Sequence, residues 1–162
     1  MSEIDYVIPR VAVEWEGKFG LEDIYTFIKL WTLNRKYDLS EKEYHTTETE
    51  EGDRLFIKLW AFKKIDDYSK FNIEVWITGT KLKKVSSKKH VLVEGKVLIE
   101  LESYIEKDYE DVWGNKPMKK FMREVYDKFF LRGKFDKYNE ELKQETLDLR
   151  DEIKRFFDGL KY

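Results

Sequence analysis

Leu55-Phe56-Ile57-Lys58-Leu59-Trp60-Ala61-Phe62 and, after a polar turn, Phe71-Asn72-Ile73-Glu74-Val75-Trp76-Ile77 form the stretch whose reading decides the fold. Every second side chain is apolar: Leu55, Ile57, Leu59 and Ala61 in the first segment, Phe71, Ile73, Val75 and Ile77 in the second. Successive side chains of a strand point to opposite faces, so each segment can lay one hydrophobic face on a core. Residues 65 to 70 include Asp66, Asp67 and Ser69, which supply turn chemistry. The two segments therefore read as an antiparallel hairpin that floors the fold.

Upstream, Tyr6 to Glu16 alternates through Val11, Val13 and Trp15 and reads as a first strand. Pro9 cannot donate a ladder hydrogen bond, which puts this strand at an edge or starts it after the proline. Leu21, Ile24, Tyr25, Ile28 and Trp31 make a helical stripe over 21–36. Phe27, Leu30 and Leu33 widen it, implying burial on more than one side. Tyr44 to Glu50 is a threonine-rich strand, and Glu51-Gly52 turns it into the central hairpin.

Downstream, Val91 to Tyr104 alternates again. Gly95 divides it, either as part of a second hairpin or as a bulge in one long strand. The count is five to seven strands, mostly consecutive, which favours an antiparallel meander. Pro117 suits a first helical turn, and Met118, Phe121, Met122, Val125 and Phe129 line one helical face. Phe135, Tyr138, Leu142, Leu149, Ile153, Phe156 and Leu160 continue as a narrow seam of coiled-coil type. Pro117 to Leu160 is one long helix or two, depending on whether Gly133 ends the first.

At 162 residues the chain suits a single domain with a real core. Lysine plus arginine (31) nearly balance aspartate plus glutamate (33), so no global field draws nucleic acid or an anionic membrane. Without cysteine there is no disulfide, thiolate ligand or thiol nucleophile. No apolar run spans a bilayer, and residues 1–10 lack the layout of a secretory signal, so a cytoplasmic location is expected. The Lys/Glu-rich composition, with Gln144 the only glutamine, matches the bias of heat-adapted proteins.

Strand, helix, antiparallel strands and a long C-terminal helical region is an order that resembles the START-like helix-grip superfamily. The resemblance implies an α+β fold in which a curved antiparallel sheet wraps the last helix and encloses a cavity for apolar molecules. It covers nearly the whole chain, rests on element order, and carries no functional residue across.

Three surfaces are candidates for function. Trp15, Ile57, Leu59, Val75, Ile77, Val97, Ile99, Phe121, Val125 and Phe129 face inward; they line an apolar pocket or fill the core. On the opposite face, Phe56, Trp60, Phe62 and Trp76 form an apolar patch of partner-binding type if no element covers them. The C-terminal seam packs on its own domain or on a second copy.

Other clusters carry less. Lys81, Lys83, Lys84, Lys88 and Lys89 read as a solvated turn, since no stacking aromatic lies among them. Glu100, Glu102, Glu106, Asp108, Glu110 and Asp111 lack the spacing of a calcium loop. His45 and His90 lie on different segments without an orienting acid, and no hydrolase, zinc, phosphate-loop or dinucleotide motif occurs. No cofactor or metal is expected, and catalysis is not the favoured reading. The leading expectation is a binding protein for a small apolar or lipid-like ligand held between sheet and C-terminal helix. The alternative is a protein-protein interaction module or homodimer that uses the aromatic hairpin face or the seam.

Overall fold

Alternating apolar side chains carry the chain through five strands longer than the sequence pattern implies. The computed structural model describes residues 3–86, 91–107, 121, 124, 125, 128 and 132–160. Its elements are β1 (Glu3–Phe19), α1 (Leu21–Asn34), β2 (Asp38–Thr49), β3 (Gly52–Lys64), β4 (Ser69–Ser86), β5 (Val91–Lys107) and α2 (Arg132–Asp158). The strands make one open antiparallel sheet in the order β1-β5-β4-β3-β2, packed against α2, an α+β fold. The central hairpin is β3–β4, with Ile57 opposite Ile77, Leu59 opposite Val75 and Ala61 opposite Ile73.

Pro9 sits in β1, which is an edge strand, and the register shifts on either side of Ile8 take up the irregularity there. Gly95 does not divide two strands: β5 runs through it without a break, facing Gly17 of β1. A Cβ at Gly95 would stand 2.7 Å from the Lys81 carbonyl oxygen and 2.9 Å from that of Thr80. The missing side chain therefore admits the irregular segment of β4 between Thr80 and Lys83, where Lys81 has a φ of 56°. Lys81, Lys83 and Lys84 belong to this strand rather than to a loop, while Lys88 and Lys89 lie outside the described residues.

Helix α1 buries one side only, through Ile24, Ile28, Trp31 and Thr32. Leu30 and Leu33 are each 53% exposed, so the wider stripe expected from them is not buried. The helix ends in a Schellman arrangement. The Tyr37 N–H reaches the Thr32 carbonyl at 2.9 Å, the Lys36 N–H reaches that of Leu33 at 3.0 Å, and Lys36 takes a φ of 65°. The reversal delivers Tyr37 to the interior, where its ring lies parallel to Trp31.

Along α2, Leu142, Thr146, Leu149, Ile153 and Phe157 share one buried face and join the sheet's inner residues in a single core. The seam thus packs on its own domain. Thr146 fills the polar gap in the stripe by meeting Ser103 of β5 at 2.9 Å. Residues 121, 124, 125 and 128 are helical, Gly133 lies in the first turn of α2, and Pro117, Met118, Met122, Phe129 and Leu131 fall outside the described residues.

Candidate functional site

The inner face of the sheet carries six of the residues expected to line a ligand space. Leu59, Val75, Ile77 and Ile99 have no accessible surface at all, and Ile57 and Val97 have almost none. A side chain with no accessible surface adjoins no water-sized void, so Leu59, Val75, Ile77 and Ile99 fill the interior, while Val97 also borders a depression of about 520 Å³ with Trp15, Thr78 and Leu98. Phe121, expected beside them, is 60% exposed; Val125 is half-buried and Phe129 lies outside the described residues. Trp15 stands apart at the sheet margin, stacked on Phe157 with centroids 5.6 Å apart. A depression of about 350 Å³ opens there between β1 and α2, lined by Val13, Trp15, Arg150, Lys154 and Phe157 among others. The indole Nε1 of Trp15 is buried and has no hydrogen-bond partner among the described residues.

A polar clamp joins α1, β3 and α2 at the rim of the core. Asp148 accepts from Trp31 Nε1 at 3.3 Å and from Arg35, whose guanidinium lies 4.5 Å over the Trp31 ring. One turn earlier in α2, Glu145 accepts from the Tyr37 hydroxyl and from Lys63 Nζ, and Lys63 also donates to the Arg35 carbonyl at 3.2 Å. Burial, then the Glu145 carboxylate, push the Tyr37 phenol far above its ordinary value. A phenol so placed keeps its proton and donates. Its work is to pin the Schellman turn to α2.

Near the N-terminal end of α2, Asp66 organises the β3–β4 turn. It accepts the Tyr68 and Ser69 N–H groups at 2.9 and 2.6 Å, the Tyr138 hydroxyl at 3.1 Å and an ion pair from Lys134 at 2.9 Å. Burial alone would raise this carboxyl, but the Lys134 ammonium and the three hydrogen bonds hold it below the usual carboxylate range. These are docking contacts for the helix. Among the described residues no group of three or more His, Asp or Glu side chains is placed to hold a metal ion.

The outward face of the sheet is different. Successive rows across it, taken from the strand register, are Leu98-Thr78-Phe56-His45, Glu100-Trp76-Lys58-Glu43, Glu102-Glu74-Trp60-Ser40 and Tyr104-Asn72-Phe62-Asp38. All four aromatic residues singled out on the hairpin lie here. Trp60 and Phe62 are 4.3 Å apart, and Trp60 donates to Asn72 Oδ1 at 2.8 Å. Among the described residues, the ring contacts of this cluster come from within the sheet. Lys42 and Lys70 lie 4.4 and 4.8 Å over Trp60, and Arg10 lies 4.1 Å over Trp76 while pairing with Glu100 at 3.5 Å. Cations and their stems thus half-cover the patch and bury Trp76. Sequence parity located these rings; it could not show that the register would set amines over them.

Both α1 and α2 contribute their buried side chains to the core on the inner side, so neither of these two helices packs on the outward rows. The fold and its candidate surface therefore define an open-faced α+β domain. Neither the protein-family models, nor the curated proteins, nor the solved structures contain a match to this chain. No helix among the described residues is long and apolar enough to cross a membrane.

Proposed function

We propose that the protein is a non-catalytic binding module whose working surface is the outward face of its sheet. The observation that carries this reading is the cluster of Phe56, Trp60, Phe62 and Trp76 on the face of the five-stranded sheet opposite to that on which α1 and α2 pack. Large aromatic rings are the side chains that interface cores favour. The packed interior argues in the same direction, because a ligand beneath α2 would first have to displace side chains that touch no free space.

Hydroxyl-radical footprinting tests the proposal. Phe56, Trp60 and Phe62 are expected to react in dilute purified protein and to become protected in concentrated protein or in extract of the protein's own host. Equal reactivity under all three conditions would remove it.

A second reading rests on a different observation, the unpartnered Trp15 Nε1 beside the β1–α2 depression. There a small apolar molecule carrying an acceptor could lie against Val13 and Phe157 and take the indole hydrogen bond. This keeps the apolar-ligand expectation but moves it from the filled centre to the margin. Native mass spectrometry of gently purified protein decides it: an added small mass that Trp15→Phe diminishes supports it, and a bare chain mass removes it.

A further inference from the structure

Strand β2 is one edge of the sheet, and among the described residues nothing pairs with its outer side. In an antiparallel pair every second residue turns its N–H and C=O away from its neighbour, so an edge offers that row of donors and acceptors to another extended chain. The two edges differ. β1 is blunted by Pro9 and by the register shifts on either side of Ile8. In β2 the one shift falls between Glu41 and Glu43, and from Glu43 to Thr49 the strand keeps an even register with no proline or glycine. Tyr44, Thr46, Thr47 and Thr49 in that run suit a pleated strand. All residues from Glu41 to Glu51 are exposed.

Charge says what fits this edge. Residues 38–51, which are β2 and the turn after it, hold six carboxylates and one amine, Lys42, in a chain whose formal net charge is −2. On the outward side the acids are answered: Lys58 stands opposite Glu43 with His45 Nε2 3.7 Å away, Arg54 stands opposite Thr47, and Lys42 lies over Trp60. On the inner side the row is Glu41, Tyr44, Thr46 and Glu48, facing Leu59, Ile57, Leu55 and Asp53 of β3, and it contains no cation. Glu41 accepts from the Tyr25 hydroxyl at 3.3 Å. Glu48 and Asp53 oppose one another with no ion pair among the described residues. Like charges so placed weaken a ladder, and a cation arriving beside Glu48 relieves both.

We infer that the free edge of β2 takes up an extended basic peptide as a sixth strand, with its lysine or arginine side chains on the inner side of the sheet. The site is separate from the outward aromatic cluster and goes beyond it, since the recognising groups are backbone amides and the inner-side carboxylates. Main-chain hydrogen bonds give such a strand its affinity, and every second side chain gives it selectivity. Basic residues at alternate positions come beside Glu41 and Glu48, and their stems lie along Tyr44, which is 51% exposed. A second copy of β2 would instead bring acids to acids.

Synthetic peptide probes and amide hydrogen exchange on the full chain test this. The heptapeptide Lys-Thr-Lys-Val-Lys-Thr-Lys is expected to bind, more weakly as salt rises, and to slow exchange of N–H groups between Glu43 and Thr49. The same peptide N-methylated at every backbone nitrogen keeps its charge but donates no main-chain hydrogen bond, and should bind roughly tenfold more weakly or less. Glu48→Lys should also weaken binding by roughly tenfold or more. Because it turns the opposition with Asp53 into an attracting pair, it should fold at least as well as the parent, which a thermal melt reads. Glu140→Lys makes the same charge change on an exposed position of α2 and should leave affinity unchanged. Absence of binding at millimolar peptide, equal binding of the methylated probe, parental affinity in Glu48→Lys, or protection on β1 in place of β2 would each overturn the inference. So would slowed exchange between Glu43 and Thr49 that depends on protein concentration alone, because a second copy then holds the edge.

Discussion

Thr146 shows what a single side chain decides here. It is fully buried on the inner stripe of α2, where the apolar period calls for a hydrophobe. Its hydroxyl has one proton and two neighbours, the Leu142 carbonyl at 2.7 Å and Ser103 Oγ at 2.9 Å, so it donates to the first and accepts from the second. Ser103 interrupts the apolar row of β5 in the same way, between Leu101 and Ile105. The pair fixes where along β5 the helix sits, since a shift of one helical turn would bury both hydroxyls against hydrocarbon. Removing one partner strands the other. Thr146→Val should therefore cost about 1–3 kcal/mol, and Thr146→Val with Ser103→Ala should cost less than the sum of the two single changes. Urea unfolding of the four proteins checks this, and strictly additive losses would show that the hydroxyls do not act as a pair. Neither residue stood out in the sequence, because a threonine in a helical stripe and a serine in a strand each look like a tolerated exception until they are seen facing one another.

At the scale of elements, α2 separates what its pattern revealed from what it concealed. Steps of three and four from Phe135 to Leu160 specify a narrow apolar stripe, but the stripe does not say whether its partner is this sheet or another molecule. The structure answers through burial: Leu142, Leu149 and Ile153 have no accessible surface, and Phe157 rather than Phe156 points into the core, leaving Phe156 against Phe27 of α1. Leu149→Ala is thus a core truncation, expected to cost about 2–5 kcal/mol of stability. Calorimetry reads the loss. A variant of wild-type stability would show that this position is not part of the core and would return the seam to the list of interfaces. The strands were legible for the converse reason. A period of two with branched and aromatic residues has few other solutions, and antiparallel order follows from short connections. Gly95 was ambiguous because its requirement comes from β4, whose Thr80 and Lys81 carbonyls approach it from outside its own segment. The end of α1 was hidden for a related reason, since Lys36 occupies a left-handed position where glycine or asparagine is the usual signal.

For the whole molecule, alternation separated two faces and burial then told them apart: the inward one is closed by α1 and α2, and the outward one carries cations over its rings. The polar clamp between Arg35, Tyr37, Lys63, Glu145 and Asp148 was invisible to sequence reasoning because its members lie more than a hundred positions apart at the extremes. That clamp makes the fold sensitive to alkali. Tyr37 is buried against Glu145, and the Tyr104 phenol is held up by burial and by Glu74, so both are raised above the ordinary value of 10.0. The unfolded chain releases these protons near pH 10 while the folded chain keeps them. Folding is then linked to proton retention, and the stability these two groups lend is complete below pH 10 and declines as pH rises above it. Each such tyrosine steepens the decline by about 1.4 kcal/mol per pH unit between its unfolded and folded values. In an alkaline titration followed by phenolate absorbance and far-ultraviolet dichroism, part of the absorbance of the ten tyrosines should therefore appear only together with loss of structure. Tyr37→Phe should flatten the stability curve above pH 10 by the slope of one proton. If that variant falls off with pH as steeply as the wild type, Tyr37 titrates normally and the clamp does not hold its proton.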